Sequence, residues 1–76
     1  MENLESVRTE IDMVDDELIA ILEKRYLLIN KITSYKTKLE DLKREEKILN
    51  KCPSDYSKKI FRSILTTSKD HLKKVI

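Results

Sequence analysis

Arg25 and Lys36 are the side chains best placed to do chemistry. Stepping by sevens along an apolar stripe gives Leu4, Ile11, Leu18, Arg25, Ile32 and Leu39. A charge on such a seam is costly unless something pairs with it. Two readings of Arg25 stand side by side. It bridges to a carboxylate of a partner helix or snorkels to the rim, or it receives an anion. Lys36 follows eleven residues later. That is three helical turns, so it projects from nearly the same face, about 16 Å along the axis. Two long cations at that separation bracket a small dianion. Arg8 precedes Arg25 by seventeen residues, which is about 25 Å and roughly 100° of rotation. Arg8 cannot share a small ligand with Arg25 of its own helix, but an antiparallel second chain brings it there. Taken alone, it reads as a solvated surface arginine. The chemistry these residues suit is preorganised charge acting on a bound anion.

Other chemistries are poorly supplied. His71 is the single histidine and Cys52 the single cysteine. A zinc site would need carboxylates for most of its ligands. A Ser-His-Asp or Cys-His arrangement would rest on His71, and nothing places a nucleophile beside it. The chain has no glycine, which rules out phosphate-cradling glycine loops and the dinucleotide fingerprint. No metal or cofactor is therefore expected. The 16 basic and 14 acidic residues leave a net charge of +2, unlike the one-signed face of a dedicated nucleic-acid binder. The cluster Lys69, Lys73, Lys74 is explained by cations offsetting a helix dipole. No stretch is apolar enough to cross a membrane. Glu2 and Glu5 stand where a signal peptide would carry basic residues, and the lone thiol fits a reducing compartment, so a cytoplasmic protein is expected.

These side chains need helices to position them. Apolar residues recur at Leu4, Val7, Ile11, Val14, Leu18, Ile21, Leu28, Ile32, Tyr35, Leu39 and Leu42. The alternation of three and four is a helical seam of coiled-coil type. It predicts a first helix from about Asn3 to at least Tyr35, about 50 Å long. A helix of that length overhangs a 76-residue globule, and a domain this small buries little core alone. The seam thus predicts a homodimer. Asp41 is the best internal cap, opening a short second helix over Leu42 to Leu49. Pro53 breaks the chain again. Ser54 or Asp55 caps a third helix with Tyr56, Ile60, Phe61, Ile64, Leu65, Leu72 and Val75 on one broad face. Ser68 falls on that face, where a hydroxyl commonly bonds back to the preceding turn. Glu45, after Arg44, reads as a first-turn acid favoured by the dipole. With no glycine and only Pro53, strand-rich folds lack their turn residues. The expectation is an all-α fold, one domain over 1–76, with one long helix and two shorter ones.

The run Val7-Arg8-Thr9-Glu10-Ile11-Asp12-Met13-Val14-Asp15, with Leu18, Leu22 and Arg25, resembles the first helix of the all-helical chorismate mutases. Lys36 matches the lysine near the end of that helix. Asp41-Leu42-Lys43-Arg44-Glu45 is similar to the family's D-x-x-R-E signature. Phe61, Ile64 and Ser68 match the third-helix pattern. The resemblance covers about residues 4 to 72. It implies an intertwined homodimer with two active sites and a Claisen rearrangement of chorismate to prephenate, in aromatic amino-acid biosynthesis by the shikimate route. In that reading Arg25, with Arg8 of the other subunit, grips the two carboxylates. Lys36 serves a carboxylate and the breaking ether oxygen, and Arg44 adds positive charge. Glu45, with the backbone at Asp41, holds the ring hydroxyl, and Ser68 bonds a carboxylate.

Two features depart from the family pattern. Four residues after Ser68 the family carries a glutamine or another donor to the ether oxygen, and here Leu72 stands there. Losing one such donor costs about 3 kcal/mol, roughly a hundredfold to a thousandfold in rate. His71 sits about 100° round the helix from that position. The stretches Lys36 to Asp41 and Glu45 to Phe61 are shorter than usual by about one and two helical turns. An isochorismate-pyruvate lyase shares the fold and the carboxylate clamps. A non-catalytic helical dimerisation module is the remaining alternative, against which two cations on the seam speak.

Overall fold

The computed structural model describes residues 2–35 and 42–75. Lys36 and Asp41, both assigned to the site from the sequence, lie outside the described residues, as does Leu39. Among the described residues the chain is all-helical, with α1 (Leu4–Ile32), α2 (Leu42–Lys51) and α3 (Asp55–Val75) and no strand.

Asn3 opens α1. Its side chain accepts from the Ser6 amide at 2.9 Å, and Ser6 Oγ accepts from the Asn3 amide at 3.0 Å. This reciprocal box satisfies two of the amides that a helix start leaves orphaned. Glu5 in the first turn and Lys31 in the last suit the helix dipole.

The helix does not reach Tyr35. Thr33, Ser34 and Tyr35 instead donate their amides to the carbonyls of Asn30, Lys31 and Ile32, three residues back. Thr33 Oγ1 donates to the same Asn30 carbonyl at 2.7 Å. Consecutive hydroxyl residues compete for the backbone and tighten the last turn. The end therefore comes three residues before the position that apolar spacing suggests. The regular helical path that starts from Arg25 thus ends at Ile32.

α2 extends to Lys51, and its last turn closes with the Cys52 amide on the Leu49 carbonyl at 3.1 Å. Pro53 prevents continuation. Ser54 then caps α3, its Oγ accepting from the Ser57 amide at 3.1 Å.

α3 is the middle element and packs on both α1 and α2. Its buried side chains are Leu65, 8% exposed, and Leu72, 3% exposed. They are one heptad apart and hold the core. Phe61 and Ile64 flank them half-buried, whereas Tyr56, in the first turn, stays in solvent instead of joining the apolar face.

Little else is covered. The chain measures 54 × 23 × 15 Å with a radius of gyration of 15.7 Å, where a compact chain of this length has about 11 Å. It exposes 6969 Å², where a compact monomer of this mass exposes about 4,900 Å². No helix among the described residues is long and apolar enough to cross a membrane.

Candidate active site

Arg25 marks the point where α1 meets α3. It is half-buried, and its Nη1 donates to Ser68 Oγ on α3. Ser68 in turn donates to the Ile64 carbonyl at 2.8 Å. The back-bond expected from the sequence is thus present, and it aims the remaining lone pair of the hydroxyl at the guanidinium. Burial pushes the Arg25 guanidinium below its ordinary pKa, and the like charge of Arg44 on α2 pushes it the same way. It stays charged nonetheless, since guanidinium does not deprotonate in proteins. No described carboxylate pairs with Arg25. Its one hydrogen-bond partner among the described residues is a neutral hydroxyl, and a second cation stands near enough to be felt.

Glu45 occupies the first turn of α2, as the dipole favours, but its chief partner is on α3. Its Oε1 lies 2.9 Å from Lys69 Nζ, with the two side chains 18% and 26% exposed. Glu45 Oε2 is buried and has no hydrogen-bond partner among the described residues. The sequence groups Lys69 with Lys73 and Lys74 as cations offsetting the α3 dipole. The structure corrects this: Lys73 and Lys74 are in the last turn, while Lys69 turns inward to α2. One signal in the sequence points to it. Lys69 is four residues after Leu65 and three before Leu72, on the side of α3 that carries the core.

Arg25, Ser68, Arg44 and Glu45 are therefore drawn to the region where α1 and α2 dock on α3. Arg8 is not. Its side chain is 62% exposed and its Nη1 lies 3.4 Å from Glu5 Oε1, both in the first turns of α1. Within one chain it is a surface arginine.

Leu72 points into the core. His71 faces elsewhere: its ring sits 5.1 Å from that of Tyr26, and its Nε2 donates to Asn30 Oδ1 at 2.6 Å. Together with Arg25, Tyr26, Ile29, Ile64 and Ser68 it lines an apolar cleft of about 380 Å³ between α1 and α3. The histidine thus shares a cleft with Arg25.

A half-buried guanidinium bonded to a serine, the like charge of Arg44, and an inter-helix glutamate with one oxygen unpartnered among the described residues thus lie where the three helices meet. The family model for chorismate mutase type II matches residues 7–73, which takes in all three helices. The chain belongs to the chorismate mutase type II family. No curated protein and no solved structure matches the chain significantly.

Proposed function

We propose that the chain is a homodimeric chorismate mutase, converting chorismate to prephenate by electrostatic clamping, in aromatic amino-acid biosynthesis. Membership of the family supports the reaction. The observation that carries it here is Arg25, desolvated, facing the like charge of Arg44, and with no described carboxylate on it. Such an arrangement is relieved by binding an anion.

Arg25 and Ser68 take one carboxylate of the substrate, with Arg44 strengthening the field. Glu45 accepts the ring hydroxyl through Oε2, the oxygen that has no hydrogen-bond partner among the described residues. Lys36 and the backbone at Asp41, from the segment joining α1 to α2, complete this wall. Arg8 of a second copy grips the other carboxylate. Negative charge gathers on the ether oxygen as its bond to the ring breaks, so fixed cations lower the transition state more than the ground state. Holding both carboxylates also selects the folded conformer in which the new carbon–carbon bond forms. No proton transfer or covalent enzyme intermediate is required.

The second copy is supported by surface. The chain exposes about 2,000 Å² more than a compact monomer of its mass. Obligate homodimers bury about that much or more in total. The excess is apolar at Leu4, Ile11, Val14, Leu18 and Ile21.

Purified protein incubated with chorismate should form prephenate well above the uncatalysed rate. Prephenate at the background rate, from folded protein, would overturn the proposal.

A further inference from the structure

We infer that Lys69 is a positioning residue that makes the site select for a ligand carrying a hydroxyl beside its two carboxylates, an inference that rests on the function proposed above. Lys69 directly follows Ser68, the residue that holds Arg25. Its aliphatic stem lies on the face of α3 occupied by Leu65 and Leu72, the buried pair of the core. From there Nζ reaches across to α2 and meets Glu45 Oε1 at 2.9 Å. Exposed Lys–Glu pairs count for little because water screens them and both chains are free to move. This pair is different, with the side chains only 26% and 18% exposed.

The geometry divides the carboxylate in two. Lys69 occupies Oε1, and Oε2 is buried with no hydrogen-bond partner among the described residues. An ionised carboxylate only accepts, and a buried acceptor left empty costs free energy. Only a donor repairs it. A carboxylate of the ligand would be repelled there, and a methylene would leave the oxygen empty. A hydroxyl fits. Lys69 contributes twice: it fixes the direction of Oε2, and its charge offsets the repulsion that Glu45 would exert on a dianion. Sites built to bond a substrate hydroxyl reject the analogue lacking it strongly, because their own buried group is then unpaired. Lys69 sets that discrimination without touching the ligand.

The test uses two ligands that cannot rearrange: the lactyl ether counterpart of chorismate, and the same compound without the ring hydroxyl. Titration calorimetry on the wild-type dimer should give at least about tenfold tighter binding of the hydroxylated ligand. Lys69→Met should bring the two within about threefold of each other, whereas Lys69→Arg, which keeps the ion pair, should restore most of the preference. Lys69→Gln serves as a second removal should the methionine variant fail to fold, circular dichroism being the check. In a Glu45→Ala background, Lys69→Met should change the preference by less than about twofold, because the lysine acts through the glutamate. A folded Lys69→Met or Lys69→Gln protein that discriminates as the wild type does would overturn the inference, as would failure of arginine to rescue. Wild-type prephenate formation is scored separately. A preference for the hydroxylated ligand without prephenate sinks the proposed reaction and leaves Lys69 in its role. Prephenate with an unaltered preference in the variants does the reverse. Binding of neither ligand sinks both.

Discussion

The two halves of α1 carry the same apolar rhythm and meet different fates. From residue 4 to residue 24 every side chain is exposed. From Arg25 onward the inward positions Arg25, Ile29, Asn30 and Ile32 withdraw against the rest of the chain. The heptad series makes the contrast plain: Leu4, Ile11 and Leu18 lie in solvent, whereas Arg25 and Ile32 are half-buried. A stripe that stays apolar where no described residue covers it is the surface that the proposed dimer would bury. The covered half carries Arg25, the residue proposed to clamp the anion. The bare half, in the proposed dimer, covers and completes the site of a second copy.

The largest effect should come from breaking the bare half. Ile11→Lys combined with Leu18→Lys places cations on the proposed interface, where unpaired burial is prohibitive. Sedimentation should show monomer, and catalysis should vanish although both residues are far from Arg25. A variant that stays active as a monomer would remove any role for the bare half. In the covered half, Arg25→Ala should lower kcat/KM by about a hundredfold to a thousandfold. Its helical circular dichroism should stay intact, since among the described residues the Arg25 side chain contributes only one hydrogen bond to the fold. Collapse of the fold would instead make the arginine structural.

Leu72→Gln sharpens the comparison within α3. The variant installs the donor the family carries at this position, but at a side chain only 3% exposed. It should destabilise the protein by about 1–3 kcal/mol, the cost of a buried polar group without a partner, and should not raise the rate. A faster enzyme of unchanged stability would show that the position opens onto the substrate. The smallest effect belongs to Asn3→Ala, which removes the cap of the bare half. It should cost about 1 kcal/mol, read as a lower thermal midpoint with unaltered kcat.

Much of this was legible in the sequence, for physical reasons that also explain the gaps. Periodicity finds helices because burial on one face repeats every 3.6 residues, and all three described helices follow it. Pro53 and Ser54 mark a boundary by sterics and capping, which are local. Apolar spacing carries α1 on to Tyr35, whereas the helix stops at Ile32, where the Thr33 hydroxyl bonds the Asn30 carbonyl in the absence of glycine or proline. Arg25 stood out because a charge interrupts the stripe, and Ser68 because a hydroxyl does. Lys69 hid among other lysines of a helix end. Its partner Glu45 is 24 residues away, so only the docking of α2 on α3 reveals the pair. Tyr56 fits the apolar pattern of α3 yet stays in solvent, because periodicity says which face a residue is on and not how far packing extends along it.

The central claim is that each site is completed by Arg8 of a second copy, and mixing two inactive chains tests it directly. Arg8→Ala and Arg25→Ala proteins are each assayed alone, then unfolded together, refolded and assayed again. Random pairing makes half the dimers mixed, and each mixed dimer holds one intact site in two, so about a quarter of wild-type activity should return. Refolded mixed dimers with no more activity than the parents would contradict the shared site and leave Arg8 a surface arginine.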